Sequence, residues 1–152
     1  MISIASIVSG TALALVAVSN IGWTTVDPCK LITSAEVQGV LGVAIGAPEA
    51  TDADPWRNCT YKGTGGHNLF LTTQDIEQAD FEHGMKILRH GLPVGSGLGA
   101  DAYTQYGGSG NLYVWKKGTE LTIHLEDQSG NTSPEKREAD QEKIAKIALS
   151  RL

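Results

Sequence analysis

The side chains with the widest chemical repertoire in this chain are two cysteines, Cys29 and Cys59, and four histidines, His67, His83, His90 and His124. A closed zinc site needs four Cys or His ligands, usually brought together by a C-x2-C spacing, and that spacing is absent. His83 and His90 stand seven residues apart on one helical pattern beside Lys86, whereas a metal pair on one helix needs i,i+4. They read as a solvated helix face, and no metal site is expected.

The remaining chemical candidates fail on order or spacing. The run Gly95-Ser96-Gly97-Leu98-Gly99-Ala100 imitates part of a dinucleotide loop. Such a loop must follow a strand and open a helix, and this one follows a helix and leads into a strand. Ser96 and Ser109 lack a G-x-S-x-G elbow and a neighbouring base. Asp52, Asp54, Asp75 and Asp80 have no spacing that sets two carboxylates at catalytic separation, and turn or cap roles explain them, with Asp75 before the second helix. Asn58-Cys59-Thr60 matches a glycosylation sequon by chance, its central residue being a disulfide candidate. No catalytic residue and no cofactor is expected, and the chain does not read as an enzyme.

One constellation remains. In residues 111–127, NLYVWKKGTELTIHLED, Lys117-Gly118 reads as a two-residue hairpin turn. Val114 then pairs with Leu121, and Leu112 with Ile123, forming one apolar face. The other face carries Tyr113, Trp115, Thr122 and His124, and Tyr103 or Tyr106 approaches them from the adjacent strand. Aromatic residues beside glycine-rich loops suit a recognition surface, so Tyr103, Tyr106, Tyr113, Trp115 and His124 form a candidate binding surface. The alternative is that this face packs under helices as a second core.

The elements that position these residues are legible from capping and periodicity. Thr33 and Glu36 make a T-x-x-E capping box before a helix over 34–41. Ile32 and Val37 form its hydrophobic staple, Val37, Val40 and Leu41 its buried stripe, and Gly42 its stop. Strands follow at 58–62 and 69–73, joined through GTGGH. A helix over 76–90 places Phe81, Met85 and Leu88 on one side. A strand near 102–105 precedes the hairpin, and Ser133-Pro134 starts a terminal helix with an Ile144, Ile147, Ala148 and Leu152 stripe. The order is α-β-β-α-β-β-β-α, an α+β fold with a five-stranded antiparallel sheet and helices packed on one face.

The 152 residues suffice for one domain. The net charge of −5, from 12 basic and 17 acidic residues without a basic run, carries no footprint for nucleic acid. Residues 1–19 hold no charged side chain and fit the apolar region of a secretory signal, with Ala17-Val18-Ser19 as the cleavage site. The rival is a retained segment over 1–23 that anchors in a membrane or is donated as a strand to a neighbouring subunit. Residues 20–26 then form a linker and 27–152 a single domain. With export, Cys29 and Cys59 are expected to form a disulfide, the alternative being two free buried thiols.

The run Asp27-Pro28-Cys29, Leu31, Thr33, Glu36-Val37 and Leu41-Gly42 continues with Cys59-x-Tyr61 and Gly97-Leu98-Gly99-x-Asp101-Ala102-Tyr103. This pattern resembles exported bacterial proteins that include actinobacterial lipoproteins of a domain-of-unknown-function family. The resemblance implies an α+β fold and a periplasmic or extracellular address in the cell envelope, and brings no activity or catalytic residue. The chain departs from the lipoprotein relatives in lacking an anchor cysteine after its apolar stretch. The expected role is a non-catalytic binding or interaction module for a protein or small-molecule ligand. The alternative is a subunit of an extracellular filament, self-assembled through its apolar N-terminal segment.

Overall fold

In the computed structural model, residues 26–89, 98–99, 101–104 and 110–152 are described, those at 88–89 and 101–104 by their backbone alone. The leader over 1–19, the linker up to residue 25, His90, the glycine-rich run over 91–97 and Tyr106 lie outside them. The described elements are α1 (Ser34–Leu41), β1 (Glu49–Ala53), β2 (Trp56–Lys62), β3 (His67–Asp75), α2 (Gln78–Arg89), β4 (Asp101–Thr104), β5 (Leu112–Lys116), β6 (Thr119–Asp127) and α3 (Pro134–Leu149). All strand pairs are antiparallel, in the order β1-β2-β3-β6-β5-β4.

The fold is α+β, and the five expected strands are present in the expected order. A sixth, β1, stands where a loop was expected. Its sequence EATDA has no alternation, and all five residues are exposed, so neither face leaves a hydrophobic signature. It is an edge strand held by its pairing to β2 and by two surface ion pairs, Lys62–Glu49 at 2.7 Å and Arg57–Asp52 at 3.1 Å. Asp75 is the last residue of β3, and α2 begins at Gln78.

Alternation divides the sheet into two unlike faces. The inner face carries Cys59, Tyr61, Leu69, Leu71, Leu121 and Ile123, all fully buried. The hairpin register matches the sequence reading: Val114 faces Leu121 and Leu112 faces Ile123, with Lys117 and Gly118 both at positive φ. α1 and α3 pack on this face through Val37, Ile144, Ala145, Ala148 and Leu149. α2 differs. Its Phe81 and Met85 are buried outside that core cluster, and Ile87 is 67% exposed.

The start of α1 is built as its residues dictate. The Thr33 hydroxyl accepts from the Glu36 N–H, and the Glu36 carboxylate accepts from the Thr33 N–H at 2.8 Å. Ile32 and Val37 of the staple are both buried, and Gly42 ends the helix at φ 72°. The Cys29–Cys59 disulfide ties this entrance to β2. Buried polar groups in the same region find partners, as burial demands. Tyr61 donates to the Ile32 carbonyl at 2.6 Å, and Thr73 to the Val26 carbonyl at 2.5 Å. Burial, with Asp27 and Glu36 nearby, pushes the Tyr61 phenol up to about 12.

The chain's far end closes on the same corner. Arg151 donates to the Leu31 carbonyl at 2.8 Å and clamps both Glu36 oxygens at 2.9 and 2.7 Å. The Arg151 hydrogen bond first, and the Thr33 backbone next, hold the Glu36 carboxyl down at about 2. Gln141, buried in α3, donates to the carbonyls of Ile123 and Gly110 at 3.0 and 2.8 Å and pins that helix to β6.

Two outcomes follow for stability. The disulfide spans 30 residues, and Cys29→Ser with Cys59→Ser is expected to remove roughly 3–4 kcal/mol in urea unfolding, by loss of loop-closure constraint. Glu36 is more acidic folded than unfolded, so its contribution is present above pH 4.5 and is lost as pH falls through about 2. Arg151→Gln is expected to lower the urea midpoint at pH 7 and to flatten its decline over that acid window.

Candidate functional site

The outer face of the sheet is assembled by register. In β3 and β6, Phe70 faces His124, Thr72 faces Thr122 and Gln74 faces Glu120. In β5, Tyr113 faces Thr122 and Trp115 faces Glu120. On the other side, Asn58 of β2 lies between Thr72 and Thr51. These side chains point outward because the neighbours they alternate with fill the core. All are half-buried except exposed Thr51 and Glu120, which is 8% exposed.

Short hydrogen bonds fix the side chains. The Phe70 and His124 ring centroids are 5.7 Å apart with planes inclined by 40°. His124 Nδ1 and Asn111 Oδ1 are 2.6 Å apart, so Nδ1 carries the proton and donates. The Asn111 amide donates to the Tyr113 hydroxyl at 3.1 Å. Thr72 donates to Asn58 at 2.7 Å, and Asn58 to the Thr51 carbonyl at 3.1 Å. Desolvation, against the opposing pull of Glu126, holds the His124 imidazole below its ordinary value.

Of the five candidate residues, Tyr113, Trp115 and His124 share this face. Tyr103 pairs with Tyr113 in register across β4 and β5. Tyr106 lies outside the described residues. Trp115 has a second duty: its indole N–H donates to the Ile76 carbonyl at 2.8 Å, tying the chain that enters α2 to the outer face. Phe70, Asn111, Asn58 and Trp56 were missed. Phe70 follows from alternation with Leu69 and Leu71, and Trp56, 48% exposed, stands just before the strand as read from sequence.

A second concavity of about 130 Å³ lies where Leu41, Leu125 and the first turns of α3 meet, with His67, Asp127, Lys136 and Asp140 in its walls. Its carboxylates are already committed. Asp127 accepts first from the Ser129 hydroxyl and then from the backbone N–H groups of Thr132 and Ser129, which keep it well below the usual carboxylate range. Asp140 is held between Lys136 and Lys143 at 2.5 and 3.1 Å. His67 stands 3.7 Å from Asp127, beyond hydrogen-bond reach. These groups build the corner of the fold.

Among the described residues no group of three or more His, Cys, Asp and Glu is placed to hold a metal ion, and no helix is long and apolar enough to cross a membrane. Comparison of the chain with family models, curated proteins and solved structures finds no match.

His124 is harder to protonate in the folded chain than unfolded. Its contribution is therefore present above pH 6.5 and is lost as pH falls from 6.5 through the lower folded value. The wild-type urea midpoint is expected to fall over this range relative to His124→Gln, and the His124 ring protons to titrate below 6.5 by NMR.

Proposed function

We propose that this protein is an exported, disulfide-stapled binding module of the cell envelope, with no catalytic role, and that it engages its ligand with the outer face of the sheet. The observation that carries this reading is the contrast between the two faces. The inner-face residues Cys59, Tyr61, Leu69, Leu71, Leu121 and Ile123 are fully buried, while Phe70, Tyr113, Thr72 and His124 on the outer face are only half-buried and are held in place by hydrogen bonds and a ring contact. Side chains immobilised before a ligand arrives lose less entropy on binding.

Export is supported by the Cys29–Cys59 disulfide, since such bonds persist in oxidising compartments. The uncharged stretch over residues 1–19 and the resemblance to exported bacterial proteins point the same way.

The test is retention of the purified chain on isolated bacterial cell envelope. Phe70→Ala and Tyr113→Ala are expected to abolish retention while keeping a cooperative urea transition, and Glu138→Ala, on the exposed side of α3, to leave it unchanged. Retention of both face variants at the wild-type level would sink the reading.

A further inference from the structure

We infer that the ligand of this outer face is an uncharged glycan, an inference that rests on the reading above that this face is the binding surface.

The side-chain inventory carries the argument. The described strands present no Leu, Ile, Val or Met on the outer face, although the inner face is built largely from them. Of the residues enriched in protein–protein interfaces, the described strands offer the aromatic ones on this face but neither Met nor Arg. Charge narrows the choice further. The one cation projecting from the described strands on this face is Lys62, and Glu49 holds it at 2.7 Å. Glu120 and Glu126 add negative charge. Phosphate, nucleic acid and acidic polymers are therefore repelled.

What remains on offer is aromatic rings with hydroxyl and amide groups between them. Phe70 and Tyr113 flank Thr122, while Trp56 stands in the strand that also carries Asn58 and Thr60. Thr72 and Thr122 donate to Asn58 and Glu120, which orients their remaining hydroxyl lone pairs to accept from sugar hydroxyls. The apolar C–H face of a pyranose ring packs on an aromatic face without any charge. With strands about 4.8 Å apart and alternate residues about 6.8 Å apart along a strand, Phe70 lies roughly 12 Å from Tyr113 and 14 Å from Trp56. That platform suits an extended chain of several sugar rings better than a single one.

Affinity electrophoresis of the full chain tests this, using gels cast with dextran, galactomannan or hydroxyethylcellulose and with the polyanions alginate and heparin. Retardation by at least one neutral polysaccharide, persisting at high salt, is expected. Trp56→Ala and Phe70→Ala are each expected to weaken it about tenfold, the scale of one lost aromatic contact, while Phe70→Tyr restores it. Trp56 is exposed at the start of β2, so its replacement spares the fold. Absence of retardation by every neutral polysaccharide, or retardation that both alanine variants keep, overturns the inference. The envelope assay separates the two levels of the reading. If retention survives periodate oxidation of the envelope and is lost after protease digestion, the ligand is protein: the glycan assignment fails and the binding face stands. If Phe70→Ala and Tyr113→Ala are retained like wild type, both fail.

Discussion

The pairing of β3 with β6 is the constraint on which everything else depends. Nine cross-strand pairs, from His67 opposite Asp127 to Asp75 opposite Thr119, place the two longest strands side by side at the centre of the sheet. Their register puts Leu69, Leu71, Leu121, Ile123 and Leu125 on one face, and Phe70, Thr72, Thr122 and His124 on the other. A slip of one residue would exchange the two sets and leave neither face workable. Because the pairing joins residues far apart in sequence, the hairpins on either side depend on it to become one sheet.

On the inner face, burial of apolar surface is accompanied by polar ties that leave no ambiguity about where each helix sits. Tyr61 and Arg151 both reach carbonyls in the turn before α1, from β2 and from the end of the chain respectively. Gln141 does the same for α3 against β6. Each tie satisfies a group that burial would otherwise penalise, so the hydrogen bonds specify geometry while the hydrophobic contacts supply most of the stabilisation. The disulfide and the capping box meet at this corner, making the entrance to α1 one of the most heavily constrained parts of the chain.

The outer face follows another logic. It carries aromatic rings, hydroxyls and amides in alternation, held by the His124–Asn111–Tyr113 and Thr72–Asn58 hydrogen bonds. Such a surface is stable in water without a helix across all of it, because its polar groups are satisfied locally. Trp115 marks its boundary, for its indole is engaged by the chain leading into α2.

Local signals determined much of this protein in the sequence itself. Thr33 and Glu36 form a capping box, Gly42 stops α1, Lys117-Gly118 turns the last hairpin, and alternation sets the register of Leu112 to Ile123 and Val114 to Leu121. These depend on residues close in sequence, or on a turn that fixes its own pairing. Tertiary structure decided the rest. β1 has no pattern of its own and exists only because β2 offers an edge. Asp140 and Gln141, both charged or polar, are buried in α3 because Lys136, Lys143 and the carbonyls of Gly110 and Ile123 are there to meet them. Phe70 joins Tyr113 and His124 only once β3 lies against β6. Whether Tyr113 and Trp115 face solvent or a helix was left open by a period of two, since alternation assigns a side chain to a face but says nothing about what covers it.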